Sequence, residues 1–142
     1  MAEECIFCSI VAGKIPSSRV FEDEKILAFL DINPVARGHT LVIPKAHYRN
    51  LLDLPEEEVS IVYKAVKKVA LAVKKAVGAE GILILQANEK AALQAVFHSH
   101  THIIPKWVDD TINKVLSEFY QYAQKPERLE LEELAEEIRK YF

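Results

Sequence analysis

His98, His100 and His102 stand at alternate positions, and that spacing favours one local structure, an extended strand on which residues two apart share a face. The strand is expected over Ala95 to Ile104, with Pro105 closing it. A row of imidazoles on one face is a chemical device or a metal site. No histidine or cysteine is left for incidental use. All five histidines and both cysteines fall in three short segments, Cys5 to Cys8, His39 to His47, and His98 to His102.

The remaining elements follow from periodicity and turn chemistry. Ile6 to Ala12 makes a short helix ended by Gly13, and Arg19–Glu22 and Lys25–Leu30 read as a hairpin joined at Asp23-Glu24. Asp31 to Gly38 holds turn formers, so it is a loop, and His39 to Ile43 resumes a strand closed by Pro44. Asp53 and Pro55 announce a long helix, Glu56 to Glu58 suit its positive end, and Val59, Val62, Val66, Val69, Val73 and Val77 keep a three-four spacing until Gly78. Gly81 to Gln86 is a further strand. Thr111 to Ala123 and Leu129 to Phe142 turn helical again, the latter with Leu131, Leu134, Ile138 and Phe142 in a narrow apolar stripe. The expected class is α+β: a five-stranded, mainly antiparallel sheet, one long helix, a short N-terminal helix and a C-terminal helical tail. One domain over 1–142 is expected, with its core at about 5–107 and an extension over 108–142.

Charge and hydropathy exclude several classes. A formal charge of -3 gives no broad basic field for nucleic acid, and Lys64, Lys67, Lys68, Lys74 and Lys75 read as the solvated face of the long helix. The start, Met1-Ala2-Glu3-Glu4, is acidic where an export signal is basic, and no apolar run is long enough to span a bilayer. A cytoplasmic protein without membrane contact is expected.

Neutral imidazole has one nitrogen with a lone pair and one with a hydrogen, so whatever binds the hydrogen fixes which nitrogen is free. A central His100 held in one tautomer can attack an electrophile, and His102 beside it can pass a proton to a leaving group. Three strand imidazoles can instead converge on one metal. Cys5 and Cys8 have the two-residue gap of a zinc grip, and His47 is available as a further ligand. The same pair also fits a redox couple or two inert thiols.

Val96-Phe97-His98-Ser99-His100-Thr101-His102-Ile103-Ile104-Pro105 resembles the signature of the histidine triad family of nucleotide hydrolases and transferases. Phe29 to Pro34, Gly38 to Lys45 and His47 resemble the first half of that family in the same order. The resemblance implies His100 as nucleophile on the α-phosphate of a nucleoside monophosphate derivative, giving a covalent nucleotidyl-histidine. His102 would assist at phosphate and leaving group, with His39 and Gln94 as further catalytic positions. It implies ribose binding by Asp31, a base pocket of Phe29, Leu30 and Ile32, and nucleotide contact by Asn88. It also implies a structural zinc on Cys5, Cys8, His47 and His98, a purine nucleotide or nucleotidyl conjugate as partner, and a homodimer with a ten-stranded sheet.

The segment before the triad departs from the family. Its usual pattern is Asn-x-Gly-x-x-x-Gly-Gln, whereas this chain reads Ala87-Asn88-Glu89-Lys90-Ala91-Ala92-Leu93-Gln94, followed by Ala95 where a hydroxyl residue is common. Glycine lets bare backbone approach a phosphate, so Glu89 and Leu93 are expected to weaken the cradle. The alternative to an enzyme is therefore a catalytically weakened nucleotide-binding and sensing dimer.

Overall fold

The computed structural model describes residues 4–142; Met1 to Glu3, part of the acidic start, lie outside the described residues. Two compact units divide the chain, one ending at Val108 and the other running from Asp109 to Phe142. The first unit holds helix α1 (Ile6–Val11), strands β1 (Arg19–Glu22), β2 (Ile26–Leu30) and β3 (Thr40–Pro44), helix α2 (Glu56–Val77), and strands β4 (Gly81–Leu85) and β5 (Thr101–Lys106). The five strands form one sheet in the order β1-β2-β3-β5-β4, every neighbouring pair antiparallel.

Side-chain alternation gives the sheet two faces with different duties. Ile26, Ala28, Val42 and Ile103 point to one face and pack with Val62, Ala65, Val66, Val69 and Val73 of α2. Leu27, Phe29, Leu41 and Ile43 point to the other, where Phe7 and Ile10 of α1 cover them. Phe29 is opposite Leu41, and Leu41 is opposite His102, so these three share a row on the α1 face. The site residues therefore emerge on the face that α2 leaves free.

Helix α2 starts with Glu56, Glu57 and Glu58 and ends with Lys74 and Lys75, charges that complement its dipole. Gly78 stops it in a left-handed conformation, its N–H donating to the Lys74 carbonyl. Gly38 has a positional reason as well. Its φ is +92°, and a Cβ there would lie 3.0 Å from a Val77 methyl and 3.3 Å from the Pro105 ring. The loop from Asp31 can then turn tightly over the end of α2 and deliver His39 just ahead of β3.

One expectation is corrected. The strand expected over Ala95 to Ile104 starts only at Thr101 and runs through Pro105 to Lys106, so of the three histidines only His102 lies in it. The chain before Thr101 has other partners: Ser99 N–H donates to the Tyr48 carbonyl at 2.6 Å, and His98 donates through Nε2 to the Pro44 carbonyl at 2.8 Å. Beyond Ile103, β5 pairs with β4 but no longer with β3, an edge-like stretch in which a proline is tolerated.

The second unit holds helices α3 (Thr111–Glu118) and α4 (Arg128–Arg139), with a 3-10 turn over Phe119–Tyr122. Asp110 caps α3 by accepting from Ile112 N–H, and Glu127 with Glu130 form a reciprocal capping box on α4. Among the described residues no helix is long and apolar enough to cross a membrane.

Candidate functional site

Cys5, Cys8, His47 and His98 converge from three separate segments, and one donor atom from each lies within 4.8 Å of all the others. Cys5 caps α1, its sulfur accepting from Cys8 N–H, so the helix turn itself brings the two thiols together. His98 Nδ1 is 3.4 Å from Cys5 Sγ and 3.5 Å from Cys8 Sγ, while His47 Nδ1 is 3.4 Å from Cys8 Sγ. The tautomer of His98 follows from its other side. The Pro44 carbonyl can only accept, so Nε2 carries the hydrogen and Nδ1 turns its lone pair to the thiols. A carbonyl holding the far nitrogen is the usual support of a metal-binding histidine. Burial, a hydrogen bond with Cys5 and the Cys5 charge push the Cys8 thiol up to about 11.

His100 follows two residues later and is fixed by the backbone. It donates from Nδ1 to the His98 carbonyl at 2.7 Å, leaving the Nε2 lone pair free. Phe7 packs edge-on against the ring at 5.2 Å between centroids and against Phe29 at 5.5 Å, which sets the angle of the imidazole. His102 has the opposite tautomer, by a chain of forced choices. Val35 N–H donates to His39 Nδ1 at 3.2 Å, so the hydrogen of His39 is on Nε2. That hydrogen meets His102 Nδ1 at 2.9 Å, so His102 carries its own hydrogen on Nε2. Asp31 Oδ2 is 3.6 Å from His39 Nε2, and its Oδ1 accepts from Asn33 N–H.

The two rings thus present unlike atoms, a lone pair on His100 and a hydrogen on His102, with centroids 5.1 Å apart. Burial lowers both below the ordinary histidine range, His102 to about 4, so both are neutral at pH 7. They open on a cavity of about 340 Å³ that Phe29, Leu30, Asp31 and Ile32 also line. The expected base and ribose positions therefore share one cleft with both histidines.

Two expected residues have other partners. Gln94 is buried with its amide fully engaged: Oε1 accepts from Asn50 Nδ2 and Glu89 N–H, and Nε2 donates to the carbonyls of Arg49 and Val96. Asn88 accepts from Leu51 N–H and exchanges bonds with Gln86. Neither lines the cavity. Sequence reading passed over Asn50, buried completely and locked to Gln94, because 44 residues separate the pair and no local pattern marks it.

Glu89 and Leu93 keep glycine-like backbone without glycine, at φ 75° and 65°. The Glu89 carboxylate does not line the cavity; Arg49 takes it at 2.8 Å. Leu93 is 88% exposed, so its side chain returns almost nothing for the strained position. Left-handed backbone costs an L-residue about 1–2 kcal/mol, against about 0.5–1 kcal/mol of extra chain entropy for glycine. Leu93→Gly should therefore raise stability, by up to about 1 kcal/mol, in a denaturant titration. A destabilised variant would mean that the leucine makes contacts that offset the strain.

The buried histidines also predict a pH dependence. Burial pushes His98 down to about 4, whereas in the unfolded chain it titrates near 6.5. Its contribution to stability is fully present above about 6.5 and is lost as pH falls toward about 4, a change on the order of 3 kcal/mol. His102 has the same sign. Urea midpoints measured in chelator should fall steadily between pH 7 and pH 4; a flat profile would contradict neutral burial.

Residues 12–108 match the family model described as HIT domain. The chain is 47% identical over 102 residues to an adenosine 5'-monophosphoramidase of Schizosaccharomyces pombe, covering 72% of this chain and 74% of the relative. It is 35% identical over 120 residues to an adenylylsulfatase of Arabidopsis thaliana, covering 80% of this chain and 61% of the relative. Among solved structures, a protein from Streptococcus mutans superposes with a TM-score of 0.88 at 43% identity, covering 97% of this chain and 85% of the other. A zinc-bound histidine triad family protein from Mycobacterium smegmatis gives a TM-score of 0.75 at 38% identity, covering 92% and 88%.

Proposed function

The chain belongs to the HIT family, and from that premise we propose that it is a nucleotide hydrolase or nucleotidyl transferase acting through a covalent intermediate on His100. The observation that carries the reading is the opposed tautomers of His100 and His102 at the mouth of one cleft. The substrate is a purine nucleoside monophosphate derivative whose base lies among Phe29, Leu30 and Ile32 and whose ribose hydroxyls donate to Asp31. Names of relatives favour a phosphoramidate or a mixed sulfate anhydride as the scissile group.

In the first step the Nε2 lone pair of His100 attacks the α-phosphorus, and the bond from phosphorus to the leaving atom breaks with its electron pair. The phosphate charge lets the His39–His102 pair take up one proton from solvent; His102 gives its Nε2 hydrogen to that atom while the hydrogen between the rings passes from His39 Nε2 to His102 Nδ1, so neither ring is left as an anion. In the second step water attacks phosphorus, its proton goes to His102 Nε2, and the phosphorus bond to His100 breaks. Two displacements then replace one difficult step. Gln94 and Asn50 take part at a distance, holding the Glu89 to Val96 segment beside the cleft.

Zinc fits Cys5, Cys8, His47 and His98, because two thiols and two Nδ1 lone pairs form a soft, four-donor set with His98 supported from behind. Bound there it supplies structural cross-linking of α1 to the segment before β5, not a Lewis acid at phosphorus. His98 would then fix the carbonyl that holds His100. The retained backbone shape of the Glu89 to Leu93 segment and the Arg49 partner of Glu89 favour turnover over a weakened sensor. A second copy of the chain, forming a homodimer, completes the reading.

Incubation with adenosine 5'-phosphoramidate tests it. AMP should accumulate beyond one equivalent per chain; AMP that binds without any turnover of the phosphoramidate or a sulfate anhydride would favour the sensor.

A further inference from the structure

Among the described residues, Ser17 Oγ is a side-chain oxygen sealed from water without a hydrogen-bond partner. Such an orphan calls for a physical reason, because a buried hydroxyl without a partner costs free energy that a pairing ligand restores. Ser17 also lines the cleft that holds His100 and His102. Its segment is braced on both sides of that cleft. Leu30 N–H donates to the Ser18 carbonyl at 2.9 Å, and Arg19 Nη2 donates to the Ile10 carbonyl at 2.8 Å. One bond ties the segment to the end of β2, the other to α1, and Leu30 and Ile10 both line the cleft.

The polar side chains around this cleft divide by place. Asp31, His100 and His102 have ribose and phosphate duties in the reading above, and Asn33 is exposed. The walls that would hold the base are otherwise apolar, with Phe7, Ile10, Ile15 and Phe29 among them. A purine placed there brings ring nitrogens and exocyclic groups that also need partners out of water. A serine hydroxyl donates once and accepts twice, and it reaches different directions by turning about one torsion among staggered positions. Ser17 lines the pocket while its Oγ is sealed in this rotamer, so a turn about χ1 brings the unpaired hydroxyl into the cleft, where an unpaired base edge meets it.

We infer that the Ser17 hydroxyl reads the hydrogen-bonding edge of the bound purine, making Ser17 a specificity-determining residue. The inference rests on the nucleotide-binding reading of the cleft. It distinguishes purines that present a polar edge from ligands that merely fill the apolar slot.

The test uses full-length wild-type protein and Ser17→Ala, with AMP and ribose 5-phosphate as probes in calorimetric titrations, and thermal melts of both proteins without ligand. The expected result is AMP binding weakened roughly five- to tenfold by the substitution, the loss of about one hydrogen bond. Binding of ribose 5-phosphate, which has no base to read, should be unchanged. Without ligand Ser17→Ala should melt no lower than wild type, since the hydroxyl it removes is unpaired. Equal AMP affinity in the two proteins overturns the role of Ser17 while leaving the cleft a nucleotide site. Equal weakening of both probes, or a melting temperature several degrees lower without ligand, assigns Ser17 a structural role and also overturns it. Wild-type protein that binds neither probe removes the nucleotide reading itself, and the base-reading role falls with it.

Discussion

Replacing His100 with alanine is expected to lower turnover of adenosine 5'-phosphoramidate by about 10⁴-fold or more, because no other group can take the place of a nucleophile. AMP affinity should change little, since Asp31 and the walls around Phe29 and Leu30 remain. His100 is 7% exposed and packs on Phe7, so the truncation also leaves a cavity. His100→Asn fills more of that space and separates the causes: if both variants fold, bind AMP and fail to turn over, the loss belongs to the missing lone pair at Nε2. Replacement of His102 should be milder and should depend on the leaving group. A substrate whose departing atom needs no proton should be turned over by His102→Ala far better than the phosphoramidate. Turnover of the phosphoramidate by His100→Ala within tenfold of wild type would contradict the nucleophile assignment.

Cys5→Ala is expected to cost the protein its zinc and a large share of its stability. A structural zinc contributes folding free energy outright, and loss of one of its four ligands should remove about 3 kcal/mol or more. For a chain of this size the melting temperature should then fall by about 10 °C. The effect should reach beyond the N-terminus, because Cys5 meets His98, and the His98 carbonyl holds His100. Metal analysis of native protein should find one zinc per chain, and Cys5→Ala should contain little. Native protein without zinc that reversibly closes a Cys5 to Cys8 disulfide would instead establish a redox pair.

The sheet and helices were legible because each has a local cause: valines at three-four spacing for α2, Gly78 to stop it, and Asp23-Glu24 between β1 and β2. The four sulfur and nitrogen donors were legible by residue type and by the likeness to a known family, and the fold brings them within 4.8 Å of one another. Spacing misled at one point. His98, His100 and His102 alternate as strand residues do, yet only His102 is in a ladder, because His98 is drawn toward Pro44 and the thiols. Gln94 and Asn88 were legible as polar residues near the triad, whereas their partners Asn50, Arg49, Leu51 and Gln86 include groups more than thirty-five residues away. Glu89 and Leu93 teach the converse. Glycine is absent at both positions, yet the Gln94 amide and Arg49 hold Glu89 from two sides, and the backbone is left-handed at Glu89 and Leu93 alike.

The most direct test of the account is to quench wild-type protein within milliseconds of mixing with adenosine 5'-phosphoramidate, in base, and to map the adduct by mass spectrometry. One nucleotidyl group on His100, labile to acid and absent from His100→Asn, is the predicted result. Rapid release of AMP with no adduct at any time, or with an adduct on a different residue, would contradict a mechanism built on the free nitrogen of His100.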